Sequence, residues 1–321
     1  MEAKIERIKV SARDGMALGA TVYFTAKADE DGPVVLIAPA AAVKRTYYDK
    51  FARYVASSGW RAVTFDFRGI GDSRPAKLVG FRASMAAWGS QDLPGVIDWI
   101  VGRLRPSRLF LVGHSAGGHV LGLAPNGNVL SAAFLVASCS GYWGLWEGMH
   151  RLRMFAIWHL LMPALAGLCG YFPGSKVGLG EDLPANMARE WARWGRHPDF
   201  LLGYENRAGY ESLAIPMLFL SIKDDTMAIR RAVDSAASWY TKALIERQHL
   251  DPREIGADPI GHFGFFREKF RDTLWPRALK WLEGHAVRAG GHPTWPGPSS
   301  PLAVLSDARV VAPDAAEEDR C

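Results

Sequence analysis

Short apolar runs alternate with amphipathic segments along much of the chain, and that rhythm predicts the architecture. Residues 4–10 and 17–24 each alternate apolar and polar positions around Asp14-Gly15, a strong hairpin signal, so an antiparallel pair is expected at one edge of a sheet. Residues 34–38 and 62–65 are instead continuously apolar, as strands buried on both faces are. Between them, residues 46–58 bring Tyr47, Phe51, Tyr54 and Val55 to one helical face before Gly59 ends the helix. A Gly-rich loop over 66–75 follows, then a helix over 91–104 with Pro94 tolerated in its first turn. A strand over 109–112, a small-residue helix over 117–124 and a strand over 132–137 continue the series. Strands at 217–222 and 243–247, a helix at 228–240 between them and a closing helix at 265–282 complete it. This alternation predicts an α/β fold, a mostly parallel sheet with helices on both faces. Active residues in such sheets gather beyond the C-terminal ends of the strands.

The rhythm breaks over residues 141–210, which carry a high density of Trp, Tyr, Met and Gly and no clear strand. That segment is expected to be an insertion between two parts of one core, 1–140 and 211–287. Trp143, Trp146, Trp158, Trp191 and Trp194 suggest an aromatic cap over a pocket; the alternative is a helical layer that only packs. The apolar stretch 154–172, interrupted by His159 and Pro163, reads as a buried or lid helix, with a membrane-dipping element as the other reading. Residues 288–321 are rich in Pro, Gly, Ala, Ser and acids without apolar periodicity, which predicts a disordered tail.

Composition narrows the function classes. A chain of 321 residues, 49% hydrophobic, can bury one large core with an insertion. The formal charge of +5 is scattered, with no Lys/Arg cluster interleaved with aromatics, so no nucleic-acid partner is expected. Cys139, Cys169 and Cys321 are odd in number and lack C-x-x-C spacing, which argues against a disulfide framework. The N-terminus is charged and shows no secretory h-region. A reducing, cytoplasmic setting is the expectation.

The candidate chemistry centres on Gly113-His114-Ser115-Ala116-Gly117, which fits the G-x-S-x-G elbow that presents a serine on a sharp strand-to-helix turn. With 33 glycines in 321 residues, such flanking arises by chance at about one serine in a hundred, so the pattern alone does not assign a nucleophile. A serine hydroxyl needs a base within reach and a third group to orient that base. In elbow-type hydrolases the acid follows a late strand and the histidine follows the last one. Asp224 and Asp225 directly follow the apolar run 217–222, and His262 lies in the glycine-flanked stretch 260–264 after the last predicted strand. His114 sits inside the elbow, His119 is expected to face along the following helix, and the other histidines lack this context.

With these residues in view, the chain over about 5–285 resembles an α/β-hydrolase-fold serine hydrolase. Asp66-Phe67-Arg68-Gly69-Ile70-Gly71-Asp72-Ser73 is similar to that family's D-x-R-G-x-G-x-S loop, GHSAG to its elbow and GHFGFF to its histidine loop. Within the family it is most similar to the uncharacterised serine aminopeptidase-like and lysophospholipase-like hydrolases. The resemblance implies an eight-stranded sheet and a triad of Ser115, Asp225 and His262. Where relatives carry an Asp-Asp doublet the second is usually the acid, which leaves Asp224 in reserve. It also implies an oxyanion hole from the N–H of Ala116 and, in the loop Pro39-Ala40-Ala41-Ala42, of Ala41, although the family commonly has His-Gly there. Asp66 and Asp72 are expected to be structural, pairing with Arg68 and backbone amides, with Asp92 as a further partner.

The expected activity is hydrolysis of an ester-type bond in an apolar small-molecule acyl substrate, with no metal or organic cofactor. Two alternatives stand beside it: acyl transfer or thioester cleavage through the same acyl-enzyme, and a silent scaffold that binds a ligand or partner. Dehalogenase and epoxide-hydrolase relatives carry an aspartate at the elbow, and Ser115 argues against both. Oligomeric state is not legible.

Overall fold

A computed structural model of the chain describes residues 3–256 and 259–286. The expected tail and Cys321 lie outside the described residues. Eight strands form one sheet: β1 (Lys4–Ser11), β2 (Ala17–Phe24), β3 (Val34–Ala38), β4 (Arg61–Phe65), β5 (Leu109–His114), β6 (Ala132–Val136), and, beyond a two-stranded hairpin of β7 (Tyr171–Phe172) and β8 (Leu183–Pro184), β9 (Pro216–Ile222) and β10 (Leu244–Leu250). Their spatial order is β1-β2-β4-β3-β5-β6-β9-β10. The pairs β1/β2 and β2/β4 are antiparallel and all the others in this sheet are parallel. The sheet is therefore mostly parallel, as the alternation predicts, with a helical insertion between β6 and β9.

Burial explains which strands sit where. Every residue of β3, β4, β5, β6 and β9 is buried, whereas β1 and β10 at the two edges are mostly exposed. Continuous apolar runs occupy the centre because helices cover both faces there, and alternation survives only where one face meets water.

Several helices are shorter than their apolar period suggests. The segment over 46–58 begins as a 3-10 turn, Arg45–Tyr48, before the α-helix Asp49–Ser57. The helix behind the elbow is Ala116–His119 followed by a 3-10 turn, Val120–Leu123. The expected closing helix over 265–282 is instead a 3-10 turn, Glu268–Phe270, and a helix Trp275–Glu283 that starts with Pro276 in its first turn, where a missing N–H removes no intrahelical bond. Two π-helical turns, Trp88–Asp92 and Ile157–Leu161, immediately precede helices with Pro94 and Pro163 in their first turns. A proline cannot donate to the carbonyl four residues back, and the widened turn absorbs that loss.

The insertion folds as helices Gly148–Ala156, Met162–Leu168 and Ala185–Arg196 with the β7/β8 hairpin, so a short strand pair is present where no strand was predicted. Of its tryptophans, Trp146, Trp158 and Trp194 are buried in packing rather than spread over an open surface. Trp158 lies against Gly195, where a Cβ would come within 2.5 Å of the indole. Its Nε1–H donates to the Gly141 carbonyl at 2.9 Å. The apolar stretch through this region packs one face through Trp158, Met162 and Ala166 and leaves Leu160, Leu161 and Leu168 exposed. Among the described residues no helix is long and apolar enough to cross a membrane.

Candidate active site

Strand β5 delivers Ser115 at the point where the backbone must turn most sharply. Ser115 adopts φ 49° and ψ −112°, a left-handed conformation costly for a residue with a Cβ and characteristic of strained functional turns. Its N–H is held by the Val136 carbonyl of β6 at 2.9 Å. The turn can close because Gly117 lies directly against β3: a Cβ there would meet the Ala38 carbonyl oxygen at 2.2 Å. Ala116 opens the following helix, so its N–H has no intrahelical acceptor and remains available.

The acid doublet divides its work by geometry. Asp225 Oδ2 lies 2.8 Å from His262 Nδ1, while Asp225 Oδ1 accepts from the backbone N–H groups of Met227 at 2.7 Å and Ala228 at 2.9 Å. Asp224 points elsewhere: its two oxygens accept from the N–H groups of Ile260 at 2.7 Å and Gly261 at 3.0 Å, just before His262. One aspartate thus meets the imidazole and the other grips the turn that carries it. Because a carboxylate only accepts, His262 Nδ1 carries a proton toward Asp225, which leaves Nε2 with a lone pair. Ser115 retains 8% of its surface, His262 9% and Asp225 2%, so all three are recessed. Among the described residues, Ser115 Oγ makes no hydrogen bond.

The loop after β3 contains the other expected donor. The Ala40 N–H donates to the Tyr48 hydroxyl oxygen at 2.9 Å, which leaves Ala41 and Ala42 as the loop's remaining alanine donors. Ala42 takes a left-handed φ of 58°, so alanine occupies a conformation that glycine adopts more readily. Its carbonyl accepts from the Glu181 N–H of the insertion at 2.7 Å.

The Gly-rich loop after β4 is a structural anchor in which Asp92 pairs with Arg68 as expected, while Asp66 and Asp72 pair elsewhere. Arg68 reaches Asp92, with Nε to Oδ1 at 2.7 Å, and Asp14, with Nη1 to Oδ2 at 2.7 Å; it does not pair with Asp66 or Asp72. Those two belong to Arg45. The Arg45 guanidinium pairs with Asp66, its Nη2 meets Asp72 at 2.6 Å, and the Arg45 backbone N–H donates to Asp66 Oδ1 at 2.6 Å. Arg45 lies outside the Gly-rich motif, and nothing in the local sequence marks it as the partner. Burial raises the Asp92 carboxyl to about 6 against the opposing pull of Arg68.

Two histidines behind the elbow are core residues. His119, expected to face along its helix, is buried, and its Nε2 accepts from the Cys139 N–H at 3.1 Å. Burial and the nearby His262 lower its pKa to about 3. His114 is fully buried between Tyr48 and the backbone of His262. Tyr47, Tyr48 and Trp146, whose Nε1 donates to the Thr226 carbonyl at 3.0 Å beside Asp225, had no chemical signature in the sequence. Among the described residues, no group of three or more His, Cys, Asp or Glu is placed to hold a metal ion.

Residues 34–273 match the family model described as the alpha/beta hydrolase family. No curated protein matches the chain in sequence. Among solved structures, the chain is similar to an esterase of Pyrococcus furiosus, with a TM-score of 0.58 and 14% identity over 88% of this chain and 91% of that one. Est1E from Butyrivibrio proteoclasticus, solved with ferulic acid bound, gives a TM-score of 0.57 and 12% identity over 88% of this chain and all of that one. A thermophilic esterase from Thermogutta terrifontis, solved with malate bound, gives 0.54 and 15% over 88% of this chain and 100% of that one. At these identities the likeness is one of fold.

Proposed function

The chain belongs to the alpha/beta hydrolase family, and from that premise we propose that it is a serine hydrolase cleaving an ester-type bond through an acyl-enzyme on Ser115. The observation that carries this reading is the 2.8 Å contact of Asp225 with His262 Nδ1, which leaves Nε2 as the basic nitrogen of a buried imidazole. His262 Nε2 takes the hydroxyl proton as Ser115 Oγ bonds to the substrate carbonyl carbon. The alkoxide leaving group departs with that proton, and water then attacks the acyl-enzyme by the same route in reverse. Ala116 N–H and Ala41 N–H are the proposed donors to the developing oxyanion. The esterase neighbours support hydrolysis of esters.

The recessed serine supports a substrate drawn out of water, and the proposal takes its acyl group as apolar and segment 141–210 as the cap. A soluble, cytoplasmic enzyme working without a cofactor completes the proposal. A fluorophosphonate probe tests it: the wild-type protein is expected to be labelled and to turn over p-nitrophenyl esters, and Ser115→Ala to do neither. Labelling that persists in Ser115→Ala defeats the assignment.

A further inference from the structure

The stretch that carries His262 is held by four backbone hydrogen bonds, and only two of them come from the acid doublet. Asp224 takes the N–H groups of Ile260 and Gly261. On the other side, the Tyr47 hydroxyl donates to the Phe263 carbonyl at 2.6 Å, and His114 Nε2 lies 2.9 Å from the His262 carbonyl. His114 Nδ1 is in turn 2.8 Å from the Tyr48 hydroxyl, whose oxygen accepts the Ala40 N–H.

The directions in this chain of bonds follow from what each group can do. A carbonyl only accepts, so His114 Nε2 carries the proton. In the neutral ring Nδ1 must then accept, so the Tyr48 hydroxyl donates to it and keeps a lone pair for Ala40. The ring is fully buried and edged by Phe263 and Phe266, and burial and the neighbouring His262 hold its pKa well below the usual histidine range. Every donor and acceptor is used once, which makes the relay a rigid connector.

We propose that Tyr48 and His114 are positioning residues that lock the oxyanion loop, the elbow and the histidine turn into one register. The relay joins Ala40 after β3, His114 at the end of β5 and His262 after β10, three places that share no local sequence. It holds the His262 carbonyl while Asp224 holds the N–H groups of Ile260 and Gly261 just before it, so the turn is fastened on consecutive residues and Asp225 sets the side-chain torsions of the imidazole. This role rests on the reading of Ser115 as nucleophile and His262 as base.

The test pairs an activity readout with one that needs no activity. Tyr48→Phe removes one oxygen and leaves both Ala40 N–H and His114 Nδ1 unpartnered. With p-nitrophenyl butyrate, kcat per fluorophosphonate-titrated site is expected to fall about 10- to 100-fold with KM changed less than threefold, the scale of a small misplacement of reacting groups. Tyr210→Phe is the control, since it removes an equally buried hydroxyl that binds the His119 carbonyl at 2.6 Å outside the relay; it is expected to lower the melting temperature and retain kcat per site. Independently, imidazole ¹⁵N spectra of the wild-type protein are expected to show His114 as the neutral Nε2–H tautomer from pH 5 to 9 with Nδ1 hydrogen-bonded, and Tyr48→Phe to keep Nε2–H while the Nδ1 resonance moves to that of an acceptor with no donor. A wild-type His114 protonated on Nδ1, a Tyr48→Phe enzyme within twofold of wild type, or an equal kcat loss in Tyr210→Phe overturns the proposal. Absence of wild-type labelling sinks the nucleophile reading alone, and the tautomer still decides whether the relay exists.

Discussion

Replacing each aspartate of the doublet by asparagine separates two roles that adjacent, chemically identical residues share. In Asp225→Asn, the backbone N–H groups of Met227 and Ala228 still require an acceptor and hold the amide oxygen in the Oδ1 position. The amide nitrogen is then forced toward His262 Nδ1, where it can only donate. Nδ1 must accept, the imidazole proton moves to Nε2, and the base loses the lone pair that would take the serine proton. A wrong tautomer of this kind lowers kcat by about 10⁴-fold in a serine protease triad, equivalent to roughly 5 kcal/mol of barrier. Folding stability is expected to change far less, because all three hydrogen bonds persist, one of them with its direction reversed.

Asp224→Asn has the opposite signature. One backbone donor of the pair Ile260 and Gly261 now faces an amide N–H₂ instead of a carboxylate, and losing a charge-assisted bond of this sort costs about 1.5–3 kcal/mol. That corresponds to a fall in melting temperature of several degrees, at about 2 °C per kcal/mol for a chain of this size. Activity per titrated site is expected to drop modestly, through loosening of the turn. The assay is ester hydrolysis normalised to active sites, alongside thermal unfolding of both variants. If Asp224→Asn loses more kcat than Asp225→Asn, the assignment of the acid is reversed; if Asp225→Asn keeps a tenth of wild-type kcat, the tautomer argument fails.

Three further outcomes follow from the same structure. Ser115→Gly should abolish ester turnover while raising the melting temperature, since glycine relieves a left-handed φ of 49° whose strain is on the order of 1–3 kcal/mol; an unchanged or lower melting temperature counts against stored strain at the elbow. Gly117→Ala drives a Cβ to 2.2 Å from the Ala38 carbonyl oxygen, so β3 and the oxyanion loop must shift, with an expected stability loss of about 1–3 kcal/mol by denaturant titration and a fall in kcat. Burial raises the Glu190 carboxyl to about 7, against an unfolded value near 4.5, so the folded state binds more protons between these values. Its contribution is therefore fully present below pH 4.5 and lost as pH rises through 7. Glu190→Gln should flatten that fall and raise the wild-type melting temperature at pH 8, and equal slopes for the two proteins from pH 5 to 8 would refute the assignment.

What was legible in the sequence and what was not divide along the range of the forces involved. The central strands were readable because burial on both faces demands continuous apolar runs, and the elbow because its tight turn demands glycine at 113 and 117. Pro94 stands in the first turn of its helix as the sequence predicts, whereas Pro276 starts a new helix inside the predicted closing one, and the π turns before Pro94 and Pro163 leave no mark in the periodicity. The polar partnerships were harder still. Arg68 and Arg45 are both arginines near aspartates, and the choice of Asp92 over Asp66 for Arg68 depends on how β2, β4 and the 3-10 turn Arg45–Tyr48 stack in space. That same turn, fastened to Asp66 through Arg45, presents Tyr47 and Tyr48 toward a histidine turn more than 200 residues away. Apolar periodicity described Tyr47 as one more residue on a helical face, because a hydroxyl that ends on a distant carbonyl leaves no trace in its neighbours. The apolar pattern therefore locates a site of this kind at the ends of its strands, while the bonds that hold its loops in register are written in single polar atoms whose partners only the fold selects.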